Sequence, residues 1–143
     1  GWGVEANTEE LTGEGAVNGH KEALIDGNLN TFWHSQWDGE GKNPPLPHII
    51  IFDMQQTQNI LSIELARRQN NLDLKAVMFS ISDDKENWTE LGKLDFPNDK
   101  VPNAQIILLP KAISGRYFRT TVTDSNNGVN ASIAEIMFTM GKK

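Results

Sequence analysis

Short segments rich in β-branched and aromatic residues follow one another along most of the chain, and clusters of turn-forming residues separate them. Most segments alternate apolar and polar positions, which is the period of a strand with one buried face. They recur every ten to fifteen residues with almost no helical pattern between them, and only the stretch HKEALID could form a helical turn. This spacing predicts an antiparallel sandwich or barrel. The predicted strands are residues 47–54, 59–68, 74–82, 87–94, 104–110, 116–124 and 131–140.

The length of 143 residues suits one domain, residues 1–143, and is a poor fit for two. A domain of this size buries roughly two-thirds of the surface of its unfolded chain, so a hydrophobic core alone can stabilise it. No internal repeat, low-complexity tract or linker interrupts the chain. We therefore expect a single all-β domain.

The balance of charged residues excludes several classes of partner. Nineteen acidic residues against thirteen basic ones give a net charge of −6, whereas nucleic acids and anionic membranes require a basic surface. The chain has no cysteine, which excludes disulfides, thiol chemistry and Cys-ligated zinc. No run approaches the ~18 consecutive apolar residues of a membrane-spanning helix, and no signal peptide is visible in the sequence.

The sequence gives little indication of a hydrolase active site. The three histidines, His20, His34 and His48, are scattered, and neither an HExxH nor a GxSxG motif occurs. Acid-rich stretches such as SDDKE are typical of solvated turns. We therefore expect a domain that is not an enzyme.

The stretch DGNLNT, which begins at Asp26, opens like a calcium-binding loop and then departs from that pattern. An EF-hand loop has glycine at its sixth position and a bidentate glutamate at its twelfth. Thr31 and Trp37 hold those positions here, so the stretch is not an EF-hand. Two interpretations remain open. The stretch is either a polar turn closed by the side chain of Asp26 or Asn28, or a cation site of another kind.

Glu135 is also unusual, because nearly all its neighbours in the stretch ASIAEIMFTM are apolar. A carboxylate half-buried on such a strand is costly unless a partner neutralises its charge. Arg116 and Arg119 on the preceding strand are candidate partners, and a cation is another. A hard cation held by Asp26, Thr31, Glu135 and backbone carbonyls would account for both unusual features.

Trp33 and Trp37 flank His34 in a segment that combines large aromatic residues with short polar ones. Trp33 follows Phe32 and is predicted to lie in the core, as is usual for tryptophan in small β-domains. Trp37 begins a loop rich in Gly and Pro and is predicted to be accessible to solvent. An exposed indole beside hydrogen-bonding side chains is suited to the apolar face of a sugar ring. The stretch ARRQNN would add an Arg fork and amide groups for the sugar hydroxyls.

Six stretches follow one another over nearly the whole chain: ALIDGNLNTFWHSQW, PHIIIFDM, LARRQNN, FSISDDKENW, RYFRTTVTD and IAEIMF. In this order they resemble the discoidin family, the coagulation factor V/VIII type C domains. The resemblance is greatest to the bacterial members, the family 32 carbohydrate-binding modules. It implies an antiparallel jelly-roll β-sandwich of about eight strands, of the galactose-binding-domain-like type.

The resemblance also implies a structural calcium ion near the start of the chain. Its side-chain ligands would be Asp26, Glu135 and the hydroxyl of Thr31. Backbone carbonyls of the following residues would complete the set: Ala23, Asn28, Thr31 and Ala134. The ion would join the first loop to the last strand and stabilise the fold without performing chemistry.

Bacterial members of the family bind terminal galactose or a related sugar in a shallow site at the loop end of the sandwich. His34 and Trp37 match the His-x-x-aromatic pair of that site. Arg68 matches its ligand-reading arginine, and Asn70 or Asn71 falls where a further polar contact is common. The resemblance therefore implies sugar binding by these five residues.

The chain departs from the sugar-binding pattern in two places. The last loop, SNNGVN, has no aromatic residue, and Lys21 lies where some relatives have an acid. A second hypothesis is therefore a structural or protein-interaction module on the same fold, with a vestigial sugar site.

The leading expectation is a non-catalytic carbohydrate-binding module within a larger bacterial polysaccharide-processing protein. That protein would be secreted, periplasmic or at the cell surface. Phospholipid, which some animal relatives bind, is not an expected partner. Its binding needs apolar residues on basic loops, whereas these loops are rich in Asn and Asp.

Overall fold

The computed structural model describes residues 1–141, which form eight β-strands and one short 3-10 helix. The helix, Lys21–Ile25, lies in the stretch HKEALID, where the sequence predicts a helical turn. Within this part of the chain no helix has the length and apolar character needed to cross a bilayer. The strands are β1 (Gly3–Ala6), β2 (Trp33–His34), β3 (His48–Ala66), β4 (Leu74–Ser82), β5 (Thr89–Asp95), β6 (Ala104–Ser125), β7 (Ser132–Ile133) and β8 (Glu135–Met140).

Two long strands, β3 and β6, run through both layers of a β-sandwich. The first half of β3 pairs antiparallel with β1 and with the second half of β6, which aligns Phe52 with Phe118. After a register shift between Asp53 and Gln58, the second half of β3 pairs with the first half of β6 and with β8. The strand order is β1-β3-β6-β4-β5, with β8 added on β3. This arrangement confirms the predicted antiparallel sandwich.

The bend in β3 lies where the sequence suggests a turn between two strands. Residues 55–58, QQTQ, continue the strand instead of ending it. Gln55 has a φ of 71°, and its N–H donates to the Asp53 carboxylate at 2.8 Å. Such a local irregularity bends a strand and changes its register while the pairing continues on both sides. In β6, likewise, the predicted strands 104–110 and 116–124 form a single strand.

Aromatic rings from the two layers meet in the core. Phe118 of β6 lies beside Phe79 of β4, with ring centroids 5.4 Å apart, and beside Phe52 of β3 at 6.2 Å. Phe138 of β8 approaches Phe118 edge-on from the other layer at 4.6 Å. Phe52, Phe79 and Phe118 are fully buried, and burial of each such side chain contributes roughly 1.5–3 kcal/mol to folding.

A two-stranded ribbon of β2 and β7 joins the N-terminal segment to the C-terminal one. Trp33 pairs with Ile133, and His34 pairs with Ser132. Trp33 is fully buried and donates its indole N–H to the Thr8 carbonyl at 2.9 Å, so the sequence-based prediction that it lies in the core is confirmed. Because neighbouring residues of a strand face opposite sides, the burial of Trp33 turns His34 away from the core and toward the surrounding loops.

Candidate functional site

Four loops meet at one end of the sandwich around an open cavity of about 380 Å³. The loops are 7–20, 35–47, 67–73 and 126–131. A cavity of this volume falls in the range of small-molecule sites, roughly 300–1,000 Å³. Its lining residues are Glu14, His34, Trp37, Arg68, Asn71, Asp73, Asn126, Asn127 and Asn130.

Trp37 lines one side of the cavity, and 39% of its surface is exposed. Its indole N–H donates to the Glu14 carboxylate at 3.1 Å, and its backbone N–H donates to Glu10 at 2.9 Å. The indole also contacts Gly13, where an added Cβ atom would lie only 2.4 Å from the ring. These contacts hold a large aromatic surface in one place beside the cavity while leaving part of it open to solvent.

His34 presents one ring nitrogen to the cavity. Its Nδ1 lies 2.6 Å from the Ser35 carbonyl oxygen, so Nδ1–H donates there, and Nε2 is left as an acceptor in the neutral ring. Nε2 lies 3.8 Å from Asp73 Oδ2. This separation is too long for a direct hydrogen bond, and each atom is free to bond a ligand hydroxyl.

Asp73 is a buried carboxylate at the floor of the cavity, just before β4. Its Oδ1 accepts hydrogen bonds from the backbone N–H of Ser132 at 2.9 Å and from the Ser132 hydroxyl at 2.8 Å. Burial raises the pKa of Asp73, while the Ser132 bonds and the nearby His34 and Arg68 oppose the rise. Its second oxygen therefore offers a strong acceptor to a ligand.

Arg68 follows the end of β3, and its guanidinium lies 3.9 Å above the centre of the Phe32 ring. Stacking on an aromatic ring fixes the plane of the fork, so its N–H groups point in defined directions. Asn71 lines the same cavity as Arg68. Asn70 instead lines a smaller neighbouring depression of about 100 Å³, together with Arg68 and Thr31. The structure thus brings four of the five predicted sugar-binding residues together and places Asn70 outside the cavity.

The last loop contributes amide groups to the cavity. Asn127 Oδ1 accepts from the N–H groups of Val129 and Asn130, so this side chain also closes the turn. Asn130 Oδ1 accepts from the Ser35 hydroxyl at 3.0 Å, and Asn126 donates to the Leu72 carbonyl at 3.3 Å. These three side chains line the cavity and also form hydrogen bonds that hold the surrounding loops in place.

Sequence reasoning missed several of the lining residues. The stretch SNNGVN has no aromatic ring, and its amides were the available signal. Asp73 was missed because an acid at the start of an apolar strand resembles an ordinary turn residue. Glu14 was missed because nothing in the sequence places residues 7–20 against Trp37.

A second group of oxygen atoms lies where the loop that follows the 3-10 helix, residues 26–32, meets the start of β8. Asp26 Oδ2 accepts from the Thr31 hydroxyl at 2.5 Å, and Asp26 Oδ1 accepts from the backbone N–H of Asn28 at 2.9 Å. Glu135 is buried, and its Oε2 accepts from the Gly27 N–H at 3.1 Å. Its Oε1 is buried without a hydrogen-bond partner among the described residues.

The environment of Glu135 disfavours its negative charge. Burial raises the pKa of Glu135 to about 7 and the adjacent Asp26 carboxylate adds to this rise, while the backbone N–H groups of Gly27 and Asn28 oppose it. The arginines considered as partners lie elsewhere: Arg116 pairs with Asp53 at 2.8 Å, and Arg119 stacks over the Trp88 ring at 4.2 Å.

The donor set around Glu135 fits a hard cation. Two carboxylates, a hydroxyl and nearby carbonyls provide only oxygen ligands, which Ca²⁺ prefers, and Glu135 Oε1 has no other partner. The 3-10 helix that contains Ala23 packs against β8, which follows Ala134. All the residues that the resemblance implies as ligands therefore come from segments that meet at this point.

A third cluster, of Glu9, His20 and Glu22, has potential ligand atoms within 4.8 Å of one another. Lys21 already lies between the two acids, with Nζ 3.0 Å from Glu9 and 3.2 Å from Glu22. Both Glu9 and Glu22 raise the pKa of Lys21 through hydrogen bonds and charge, against the effect of burial. Lys21 thus pairs with both acids of this cluster and occupies the place that a cation would take between them.

Comparison with known proteins identifies similar domains over nearly the whole chain. The family model described as the F5/8 type C domain matches residues 4–136. The C-terminal domain of a chitobiase from Bacteroides fragilis is 37% identical, with a TM-score of 0.80 over 99% of this chain and 95% of that one. A family 32 carbohydrate-binding module from Clostridium perfringens, in complex with galactose, is 20% identical. It has a TM-score of 0.77 and covers 96% of this chain and 92% of that chain, a likeness of fold.

A sialidase from Micromonospora viridifaciens is 27% identical over 137 residues. The match covers 93% of this chain and 20% of the sialidase, so the chain spans about a fifth of the length of that curated relative. The similarity is thus to one part of a longer enzyme. Together with the matches above, it confirms the resemblance that the order of sequence stretches indicated.

Proposed function

Because the chain belongs to the F5/8 type C domain family, we propose that it is a carbohydrate-binding module without catalytic activity of its own. The observation that carries the proposal is the exposed Trp37 indole, which shares one cavity with His34, Arg68 and Asn71. An apolar ring face beside convergent polar groups is the arrangement that a pyranose ring requires. The galactose complex of a module with the same fold supports a galactose-like terminal sugar as the ligand.

In the proposed mechanism, the C–H face of the sugar stacks on Trp37. The sugar hydroxyls donate to His34 Nε2 and Asp73 Oδ2, which are 3.8 Å apart, and accept from the Arg68 fork. Asn71 supplies both a donor and an acceptor. Contacts to a single sugar in an open cavity should give a dissociation constant on the order of 1 mM, or about −4 kcal/mol.

We propose in addition that a calcium ion binds between the loop that follows the 3-10 helix, residues 26–32, and the start of β8. Its side-chain ligands would be Asp26, Thr31 and Glu135, and the carbonyls of Ala23, Asn28 and Ala134 would complete the shell. The partnerless Oε1 of Glu135 and the proximity of a second carboxylate support this assignment. The ion would stabilise both carboxylates in their charged form and tie the loop to the strand. Its role would be structural, because the sugar-binding residues belong to a different set.

The module would act as one part of a larger protein that handles polysaccharides outside the cell. The match to a fifth of a sialidase supports this context. Weak binding by one module gains strength when several modules are linked, because the second binding event becomes intramolecular.

Calorimetric titration with a panel of neutral monosaccharides tests the sugar-binding proposal. We expect binding of galactose or a related sugar by the intact domain, and loss of that binding in Trp37→Ala. Trp88→Ala is the matched control, because Trp88 stacks with Arg119 and does not line the cavity. Circular dichroism would verify that both variants fold. Equal binding by Trp37→Ala and the intact domain would refute the site.

The second candidate is a structural or protein-interaction module on the same fold. The observation that favours it is the last loop, where Asn126, Asn127 and Asn130 stand in place of an aromatic residue. Their side chains form hydrogen bonds within the protein, to Leu72, to the backbone of the loop and to Ser35. Failure of the whole sugar panel, with the domain folded and calcium present, would favour this candidate.

A further inference from the structure

Glu10 is a fully buried acid in the segment between β1 and the 3-10 helix. Its carboxylate accepts five hydrogen bonds. Oε2 accepts from the backbone N–H of Thr12 at 3.0 Å, from that of Gly13 at 2.9 Å, and from the Thr12 hydroxyl at 3.1 Å. Oε1 accepts from the backbone N–H of Trp37 at 2.9 Å and from that of Asp38 at 2.8 Å.

The five bonds join two segments that are far apart in sequence, residues 12–13 and residues 37–38. One oxygen serves each segment, so the carboxylate sets the distance between them. Gly13 of the first segment contacts the Trp37 ring, and the next residue, Glu14, accepts from its indole N–H. The second segment carries Trp37 itself. The position of the indole relative to the cavity therefore depends on this one side chain.

The carboxylate has no other evident role. No ion pair among the described residues involves Glu10, so N–H and O–H donors alone compensate its charge. Burial raises its pKa, but the bonds from Gly13, Trp37, Thr12 and Asp38 outweigh burial and lower the pKa to about 2. Burial of a charged carboxylate is costly unless its hydrogen bonds are satisfied. Here the donors lie on two segments, the one that bears Trp37 and the one that contacts its ring.

We propose that Glu10 is a positioning residue for sugar binding, which acts by holding Trp37 in its binding orientation. This inference rests on the proposed role of Trp37. An anionic acceptor is required, because an amide at this position would turn an NH₂ group toward backbone N–H groups and leave some of them without an acceptor.

The test compares Glu10→Gln with the intact domain by NMR and by titration with galactose. Glu9→Gln is the matched control, since it removes the same charge at the neighbouring residue, whose partner is Lys21. The heteronuclear NOE of the Trp37 indole N–H, assigned by its absence in Trp37→Phe, reports the order of the ring independently of any sugar. We expect Glu10→Gln to lower this NOE and to weaken galactose binding roughly tenfold, while Glu9→Gln matches the intact domain.

A second variant covers the case in which Glu10→Gln does not fold. Thr12→Val removes one exposed hydroxyl donor from the carboxylate, and we expect it to fold and to lower the NOE and the affinity by an intermediate amount. An unchanged NOE in a folded Glu10→Gln, or an unchanged NOE in Thr12→Val if only that variant folds, would overturn the proposal. If the intact domain binds no sugar, the proposed function fails, and the NOE alone decides whether Glu10 orders Trp37.

Discussion

The backbone N–H of Gly27 donates to the carboxylate of Glu135 at 3.1 Å, although the two residues are 108 positions apart in the chain. This bond joins the loop that follows the 3-10 helix to the first residue of the last strand. The other oxygen of Glu135 has no partner among the described residues. One end of the sandwich therefore has an acceptor that the chain itself does not satisfy.

Calcium should raise the thermal stability of the domain, because a ligand that binds only the folded state stabilises it. At a calcium concentration a hundred times the dissociation constant the gain is about 2.7 kcal/mol. Differential scanning calorimetry with added CaCl₂ or EDTA would measure the change. In Glu135→Gln the calcium-dependent shift in Tm should disappear, and an equal shift in that variant would contradict the assignment of Glu135 as a ligand.

Glu10 should make the stability of the domain fall as the solution becomes acidic. Its folded-state pKa is lowered to about 2 from an ordinary 4.5, so the folded state holds the proton less tightly than the unfolded state does. Its contribution to stability is therefore fully present above about pH 4.5 and is lost as the pH falls through about 2. Urea unfolding between pH 2 and pH 6 should show a smaller loss of stability over this window in Glu10→Gln than in Glu9→Gln. The same slope in both variants would contradict the prediction.

Arg68→Lys should weaken sugar binding even though the charge is kept. A lysine lacks the planar fork and the stacking on Phe32 that orient the donors of Arg68. We expect a loss of about tenfold in affinity, or about 1.4 kcal/mol. Arg116→Lys, which alters the pair with Asp53 on another surface, is the control for calorimetric titration and should bind like the intact domain. Equal affinities for all three proteins would exclude Arg68 from the site.

Acidic sugars should bind less tightly than neutral ones. Among residues 1–141, Glu14 and Asp73 line the cavity with Arg68 as the sole arginine or lysine beside them, and the whole chain has a net charge of −6. Galacturonic acid is the matched probe for galactose, because it differs by one carboxylate. NMR titration at low and high salt should show a preference for galactose that weakens as salt screens the repulsion. Stronger binding of galacturonic acid would contradict this description of the site.

Local patterns in the sequence predicted an antiparallel sandwich or barrel, and the resemblance to the family was needed to choose the sandwich. The alternation in residues 74–82 gives the bounds of β4, Leu74–Ser82, without error, and the burial of Trp33 follows from its apolar neighbour. The unbroken course of β3 was not predictable, because QQTQ has turn chemistry and only the pairing with β1, β6 and β8 keeps it extended. Pairing partners are a tertiary property, which the period of a single strand does not contain.

The site was predictable where its residues belong to a recognisable motif. His34, Trp37 and Arg68 fall in quoted stretches, and the structure places them around one cavity with Asn71. Glu10 and Asp73 could not be predicted, since an isolated acid in a sequence reveals neither its burial nor its donors. Asn70 and Asn71 are chemically equivalent in sequence, and only the course of the loop after β3 separates them.

The central claim is that a sugar binds in the cavity beside Trp37. The most direct measurement is a galactose titration of ¹⁵N-labelled domain followed by ¹H–¹⁵N correlation spectra, with every perturbed amide mapped onto the structure. We expect saturable shifts, at millimolar sugar, centred on the Trp37 indole and on the backbone of His34, Arg68 and Asn71. Shifts centred on another surface, or no saturable shift for any neutral sugar, would contradict it.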